Sequence, residues 1–282
     1  MRTSLVLAEG TEFFPLYHDI VGLYQTRFGL CQNFIEKTPG DRVSEFDLGC
    51  QGLAFSFFEK LTPGIPVISE EIPHAWPPKY KKFWLIDPID GTANMLADLP
   101  LFGFMGALIE DGIVTSCAFF LPTERNNDRI SHWNTGFYFA KLGSGAWEMG
   151  RDFETARQIS VSSVDTLSES FLCLEGPSKR MRNSLAVNRL AERVARTRNN
   201  LSMAWVITRL AKGKQAPRGI DAVLALGNKP WDNLPGVLLI TEAGGRVTDP
   251  YGNPLTLENC TDAFYSNGHL HDEALALLGG GQ

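Results

Sequence analysis

A short apolar run that leads directly into two carboxylates is the feature of this sequence that most restricts its fold. Residues 83–86 read Phe-Trp-Leu-Ile and are followed by the string Asp87-Pro88-Ile89-Asp90-Gly91-Thr92. The apolar run predicts a buried β-strand. The proline and the glycine predict a rigid turn whose backbone can approach a ligand closely. Ligands collect at strand ends in α/β folds, so this turn is a candidate binding site.

Asp87 and Asp90 would repel each other in a buried turn unless a cation lay between them. Magnesium prefers such hard oxygen ligands and usually shares its coordination sphere with water and a phosphate group. A pair of metal ions can activate a water molecule and stabilise the leaving oxygen of a displacement reaction. Asp, Pro and Gly are also ordinary residues of solvated turns, so the string alone leaves both interpretations open.

Three further acidic residues lie where predicted helices or strands begin or end. Glu70 follows a short predicted strand, and Asp232 opens a predicted helix. Asp47 lies three residues after Ser44, at the start of a helix predicted to run to Leu61. Taken singly, these positions have plain structural interpretations, namely a solvated loop for Glu70, an N-cap for Asp232 and a capping box for Asp47. Taken together with the string, they favour a metal site.

The order and spacing of these motifs are similar to those of a known family. The Asp87–Thr92 string, with Glu70 upstream and the stretches 231–232 and 241–245 downstream, closely resembles the inositol monophosphatase family of magnesium-dependent, lithium-sensitive phosphatases. The resemblance covers about residues 35–270. It implies an α-β-α-β-α layered sandwich, an α+β / α/β fold of the inositol monophosphatase and fructose-1,6-bisphosphatase type.

After Arg157 the sequence changes to alternating predicted strands and helices, an α/β pattern, which places a division of the chain near residue 157. An N-terminal α+β part, residues 1–157, would contain an antiparallel sheet and most of the metal ligands. A C-terminal α/β part, residues 158–282, would supply Asp232 and the wall on the substrate side. The active site would then lie between the two parts.

Metal ligands follow from the same resemblance, with two or three Mg²⁺ ions in the site. Glu70, Asp87 and the backbone carbonyl of Ile89 would bind the first ion. Asp90 would bridge the first ion to the second. Asp87 and Asp232 would complete the second site.

The resemblance assigns the remaining roles to residues near the metal ligands. Asp47 and Thr92 match the pair that orients the attacking water, and Glu70 also counts among the catalytic residues. Gly91 and Thr92 would hold the phosphate group. The substrate loops would contain the following residues: Lys37, Ala93 and Asn94.

The resemblance implies magnesium-dependent hydrolysis of a small phosphomonoester, a sugar or polyol phosphate. In this reaction a metal-activated water attacks phosphorus directly. The same chemistry on histidinol phosphate, a nucleotide 3′-phosphate or fructose 1,6-bisphosphate stays open, because the motifs do not identify the substrate. A non-catalytic metal-binding regulator is the alternative from another functional class. The complete set of carboxylates argues against it.

Two departures from the family pattern concern the substrate. Ala225 lies seven residues before Asp232, where inositol phosphatases have a glutamate that binds the inositol hydroxyls. Alanine cannot accept hydrogen bonds, so inositol phosphate is not expected to be the best substrate. The stretch 198–202 also lacks the usual Gly-Ser start of the substrate-side helix, and residues 122–134 read as a long polar surface loop.

Composition restricts the partners and the compartment. The net charge of −6 argues against nucleic acid or an anionic membrane as the main partner, because both need a basic surface. The five cysteines form no Cys-x-x-Cys pair, which indicates a reducing cytoplasm. The resemblance adds the expectation of a homodimer.

Overall fold

A computed structural model of the chain describes residues 10, 12–27, 33–38, 41–124, 134–150, 154–182, 184–215 and 219–279. Its α-helices are α1 (Phe14–Arg27), α2 (Glu45–Leu61), α3 (Thr92–Leu96), α4 (Ser178–Arg182), α5 (Leu185–Arg193), α6 (Met203–Ala211), α7 (Pro230–Glu242) and α8 (His271–Gly279). None of these helices combines the length and the apolar composition that crossing a membrane requires.

The strands of the described residues form three sheets. A hairpin consists of β1 (Phe34–Thr38) and β2 (Asp41–Ser44). A seven-stranded sheet runs in chain order through β3 (Val67–Ser69), β4 (Lys82–Asp90), β5 (Gly103–Glu110), β6 (Ile113–Glu124), β7 (Asn134–Lys141), β8 (Gly145–Met149) and β9 (Ala156–Gln158). A five-stranded sheet has the order β11 (Arg196–Arg198), β10 (Phe171–Glu175), β12 (Ala222–Leu226), β14 (Asp262–Ser266) and β13 (Arg246–Thr248).

Both larger sheets mix the two strand directions. In the seven-stranded sheet β3 is parallel to β4, and the other neighbours are antiparallel. In the five-stranded sheet β10 is parallel to β11 and β12, whereas β14 is antiparallel to β12 and β13. The sequence predicts two strands over residues 102–109 and 113–121, joined by the turn Glu110-Asp111-Gly112, and they correspond to the antiparallel pair β5 and β6. β6 continues to Glu124, and residues 125–133 of the predicted surface loop lie outside the described residues.

The position of β4 between two layers of helices explains why residues 83–86 are all apolar. Phe83 and Leu85 pack into one hydrophobic cluster with α6 and α7. Trp84 and Ile86 pack into another cluster with α1 and α2 on the opposite face. Successive side chains of a strand point to opposite faces, so a strand covered by helices on both sides needs apolar residues at every position.

Three hydrophobic clusters therefore define five layers. Helices α1 and α2 cover the outer face of the seven-stranded sheet, and α6 and α7 lie between the two large sheets. Helices α4, α5 and α8 cover the far face of the five-stranded sheet. This order confirms the predicted α-β-α-β-α sandwich. The middle cluster contains residues from both sides of position 157, and the division at that position stays a prediction.

Two local predictions meet different outcomes. Helix α2 begins after Ser44. The Ser44 hydroxyl accepts a hydrogen bond from the backbone N–H of Asp47, and the Asp47 carboxylate accepts one from the backbone N–H of Ser44. These two hydrogen bonds form the predicted capping box. The sequence up to about Ile35 reads as helical, with interruptions at Pro15 and Gly29. The structure instead places Phe34 and Ile35 in β1, where they pair with Ser44 and Val43. An apolar pair in an exposed hairpin cannot be distinguished from the end of a helix by periodicity alone.

Candidate active site

Asp87 and Asp90 lie at the end of β4, where the strand becomes irregular. Asp87 pairs with Met105 and Asp90 with Gly103, and the register shifts between these two pairs. Residues three apart in a regular strand point to opposite faces, and an irregularity of this kind redirects a side chain. Carboxylate oxygens of Asp87, Asp90 and Asp232 lie within 4.8 Å of one another. The structure therefore brings together three of the predicted acidic residues.

Asp232 reaches this group from the first turn of α7. Its carboxylate accepts a hydrogen bond of 2.8 Å from the backbone N–H of Lys229, the residue before the helix. The helix start is also favourable for a negative charge because the N-terminal N–H groups point toward it. Pro230 begins the helix without the loss of a hydrogen bond. The sequence around Asp232 thus fixes the carboxylate locally.

Asp90 is held by the N-terminus of α6. Its Oδ2 accepts hydrogen bonds from Ser202 Oγ at 2.5 Å and from the backbone N–H of Ala204 at 2.7 Å. Ser202 is also the N-cap of α6, since its hydroxyl accepts from the backbone N–H of Trp205. The bond from Ser202 to Asp90 connects the C-terminal half of the chain to the end of β4.

Thr92 and Asp47 form a pair beside the acidic group. Thr92 Oγ1 lies 2.7 Å from Asp47 Oδ1 and 3.0 Å from the carbonyl oxygen of Ile89. Asp47 is 1% exposed. Burial raises its pKa above the ordinary value, although hydrogen bonds from Ser44 and Thr92 act in the opposite direction. The pair therefore places a hydroxyl against a buried carboxylate, an arrangement suited to orienting a water molecule.

Glu70 lies after β3, and Lys37 of the β1–β2 hairpin reaches it. Lys37 Nζ is 3.0 Å from Glu70 Oε1 and 3.1 Å from Glu71 Oε2. Burial and the charge of Glu70 raise the pKa of Glu71 to about 7, even though Lys37 lowers it. The hairpin is thereby tied to the acidic end of β3.

A cavity of about 310 Å³ contains most of the predicted site. The predicted residues on its wall are Glu70, Asp87, Ile89, Asp90, Gly91, Thr92, Ala93 and Asp232. Asp47 contacts this group through Thr92. Lys37 and Asn94 are not among the described residues on the wall.

Asn94 requires a correction, because it was predicted in a substrate loop. Its side chain is buried, and its Nδ2 donates to the carbonyl oxygens of Leu101 and Asn200 at 2.7 and 2.6 Å. A short polar side chain that hydrogen-bonds to backbone in this way holds loops together. Asn94 therefore supports the loop before α6 and does not line the cavity.

Crowded negative charge dominates the electrostatics of the site. Burial, together with the charges of Glu70 and Asp90, raises the pKa of Asp87 and of Asp232 well above the ordinary value. Burial also raises the pKa of Asp90 to about 6, although the bond from Ser202 opposes this. A divalent cation among these oxygens would remove the repulsion. The donor set consists of hard oxygens, so the residues present fit magnesium.

Several residues on the wall were not predicted, and Glu175 is the most unusual of them. It ends β10, is 2% exposed, and accepts hydrogen bonds from the backbone N–H groups of Asn200 and Leu201 at 2.9 and 3.0 Å. Burial raises its pKa to about 8. The other unpredicted residues include Arg42, Gly176, Ser202, Asn228 and Lys229. A carboxylate directly after a predicted strand, as at Asp87, was the signal that could have identified Glu175.

Replacing Gly91 by alanine is expected to lower the free energy of unfolding much more than the same change at Gly64, a glycine with a similar backbone conformation. Gly91 has φ +91°, and an added Cβ would lie 2.8 Å from the carbonyl oxygen of Leu101 and 3.1 Å from Ser202 Cβ. Gly64 has φ +81° with nothing within 4 Å. We expect Gly64→Ala to cost about 1 kcal/mol of unfolding free energy and Gly91→Ala about 3 kcal/mol or more, since steric overlap adds to the backbone strain.

Urea unfolding of both variants would test this expectation. Equal losses for Gly91→Ala and Gly64→Ala would contradict the close packing between the turn after β4 and the loop before α6.

Comparison with known proteins places this site in a family. The model of the inositol monophosphatase family matches residues 21–279. An inositol-1-monophosphatase of Mesorhizobium japonicum is 29% identical over 234 residues, which is 82% of each chain. Among solved structures, a Thermotoga maritima IMPase has a TM-score of 0.79 and 26% identity and covers 94% of each chain.

A further similar structure contains ligands. It is an IMPase/NADP phosphatase complexed with Mg²⁺ and phosphate, with a TM-score of 0.79, and the match covers 96% of this chain and 95% of that one. At 18% identity, this likeness shows the fold. With the match to the family model, it follows that the chain belongs to the inositol monophosphatase family and is a phosphoric monoester hydrolase.

Proposed function

We propose that this enzyme hydrolyses a small phosphorylated metabolite, a sugar or polyol phosphate, with bound Mg²⁺. The observation that carries the proposal is a group of three carboxylates on the wall of a cavity, the buried Asp87 and Asp90 and the half-buried Asp232, whose oxygens lie within 4.8 Å of one another. Such a group is electrostatically unfavourable without a cation. The magnesium and phosphate in the structurally similar IMPase/NADP phosphatase support the same ligands here.

The proposed metal ligands follow from the family resemblance and from the positions on the cavity wall. Glu70, Asp87 and the Ile89 carbonyl would hold one ion, Asp90 would bridge to a second, and Asp87 and Asp232 would complete the site, with two or three ions in all. Bound magnesium would lower the pKa of a water ligand and neutralise charge on the phosphoryl oxygens.

The residues of the chain would position the reactants around the metal site. When the Thr92 hydroxyl donates its hydrogen bond to Asp47, the Thr92 oxygen can still accept a hydrogen bond from a water molecule and orient it for in-line attack. Gly91 and Thr92 would bind the phosphate group, because both lie on the cavity wall and can present backbone N–H groups to an anion. Ala93 would lie next to the leaving group. Lys37 would act through its contact with Glu70.

Replacing Thr92 by valine is expected to lower kcat by about 10²–10⁴-fold with little change in KM. Valine has a similar volume but no hydroxyl, so it removes the contact with Asp47 Oδ1. Thr92→Ser keeps the hydroxyl and is the matched control, expected to retain most of the activity. Steady-state kinetics of both variants would check this, and equal activity of the valine and serine variants would rule out a role for the hydroxyl.

Phosphate release from a panel of phosphomonoesters, measured with magnesium and with EDTA, tests the proposed function. The panel contains inositol 1-phosphate, glucitol 6-phosphate, fructose 1,6-bisphosphate, histidinol phosphate and adenosine 3′,5′-bisphosphate. Magnesium-dependent release, fastest for a sugar or polyol phosphate, is the expected result. Faster release from histidinol phosphate or adenosine 3′,5′-bisphosphate would replace the proposed substrate class, whereas faster release from fructose 1,6-bisphosphate, itself a sugar phosphate, would favour the bisphosphatase alternative. No release from any of them by folded, magnesium-loaded protein would support the metal-binding regulator instead.

Quaternary structure, compartment and inhibition belong to the same proposal. The family resemblance supports a homodimer and sensitivity to lithium. The four cysteines of the described residues, Cys50, Cys117, Cys173 and Cys260, are buried and free, which supports a reducing cytoplasm. Cys31 lies outside the described residues.

A further inference from the structure

Glu175 is a buried carboxylate on the cavity wall that the proposed chemistry does not use. It lies at the end of β10, in the sheet opposite to the one that contains Asp87 and Asp90. Among the carboxylates on the described wall, it is separate from the group formed by the ends of β3 and β4 and the start of α7. A buried carboxylate beside like charges is costly, so its presence calls for an explanation.

The hydrogen bonds of Glu175 leave part of its acceptor capacity unused. Oε1 accepts from the backbone N–H of Asn200 and Oε2 from that of Leu201. In its ionised form the carboxylate has about four lone-pair sites, so each oxygen can then accept one more hydrogen bond. Because Glu175 is on the wall of the cavity, a ligand in the cavity can supply those donors.

The surroundings of Glu175 fix its position without competing for those sites. Across the sheet its partner is Ala225, whose methyl group cannot form hydrogen bonds. Two consecutive backbone N–H groups, those of Asn200 and Leu201, point at the carboxylate, one at each oxygen. Both oxygens are therefore held in place before a ligand arrives, which is the condition for selective recognition.

We propose that Glu175 recognises a hydroxyl group of the leaving alcohol and thereby selects polyol and sugar phosphates over phosphomonoesters without hydroxyls. This inference rests on the proposed function and specifies its substrate class. A hydroxyl group donates one hydrogen bond to a carboxylate oxygen. An analogue that lacks the hydroxyl leaves the buried carboxylate without this partner, which penalises its binding.

The test compares pairs of substrates that differ only in hydroxyl groups. The pairs are inositol 1-phosphate against cyclohexyl phosphate, and glucitol 6-phosphate against hexyl phosphate. In the unmodified enzyme, kcat/KM is expected to be about ten- to hundredfold higher for the hydroxylated member of at least one pair. In Glu175→Ala and Glu175→Gln the preference is expected to fall at least about fivefold, mainly through a higher KM for the hydroxylated substrate.

The matched control is Glu169→Gln, which changes an exposed carboxylate just before the opposite end of β10. It is expected to keep the preference of the unmodified enzyme. Because the preference is a ratio measured within each variant, it stays interpretable even if Glu175→Ala lowers the amount of folded protein.

The possible results distinguish failure of the role of Glu175 from failure of the proposed phosphatase function. If Glu175→Ala and Glu175→Gln slow both members of each pair by the same factor, Glu175 only supports the loop before α6 and the inference is wrong. Release from the unmodified enzyme without any preference for hydroxyls also overturns the inference but leaves the phosphatase intact. No release from any of the four compounds overturns the proposed function for this substrate class, and the inference with it.

Discussion

Asp90→Asn is expected to reduce magnesium-dependent phosphate release by about a thousandfold or more. Asp90 is the proposed bridge between two metal ions, and a neutral amide neither binds magnesium as strongly nor balances its charge. Loss of several kcal/mol of electrostatic stabilisation in the transition state corresponds to a factor of this size. The amide oxygen of asparagine can still accept from Ser202 and Ala204, so the bond to α6 is retained.

A charge-matched control separates this effect from a general loss of negative charge. Asp98 is exposed on the segment after α3, and its φ of +56° is a conformation that asparagine also adopts readily. Asp98→Asn is therefore expected to keep full activity. Initial rates of both variants under saturating magnesium would be compared. An Asp90→Asn enzyme within tenfold of the unmodified enzyme would exclude the bridging role.

Magnesium is expected to stabilise the protein against heat, and more strongly at pH 8 than at pH 5.5. A carboxyl group with a raised pKa in the folded protein binds protons more tightly there than in the unfolded chain. Metal-free stability therefore falls as pH rises from the ordinary value of 3.8 to the folded value. For Asp90 this window ends near about 6, and the raised pKa values of Asp87 and Asp232 change stability in the same direction. Magnesium replaces the protons and offsets the loss.

The size of this effect depends on how far magnesium exceeds its dissociation constant. At a hundredfold excess, binding to the folded state alone adds about 2.7 kcal/mol. The difference in Tm between magnesium and EDTA is the quantity to follow, because His271, with a pKa lowered to about 4 by burial, changes stability with the opposite sign and cancels in this difference. A magnesium-induced shift in Tm that is constant from pH 5.5 to pH 8 would contradict the crowded carboxylates as its origin.

The sequence predicts the acidic site well because local patterns determine each of its parts. An apolar run ends at Asp87, a proline begins the helix that contains Asp232, and Ser44 caps the helix that contains Asp47. Each pattern thus places a carboxylate at the end of a strand or in the first turn of a helix. The family resemblance then states which of these ends meet, and the geometry places three of the carboxylates together.

The substrate side could not be predicted in the same way because it depends on contacts between distant residues. Glu175 binds a loop 25 and 26 residues further along the chain. Asn94 reaches Asn200 at a separation of 106 residues. No periodicity or spacing reports such pairs. The sequence predicts a helix over residues 202–211, which corresponds to α6, but the hydrogen bond from its N-cap Ser202 to Asp90 depends on the packing of one sheet against the other.

The placement of acidic and substrate-side residues on two different sheets has a consequence for how such enzymes diverge. Most carboxylates of the proposed metal site lie at strand ends of the seven-stranded sheet, whereas Glu175 ends β10 and Asn228 follows β12 of the five-stranded sheet. Substitutions after β10 and β12 can change which alcohol fits while the reaction chemistry is inherited unchanged. If the proposed roles hold, a change of substrate would require substitutions in the five-stranded sheet alone, with Asp232 kept as a proposed metal ligand.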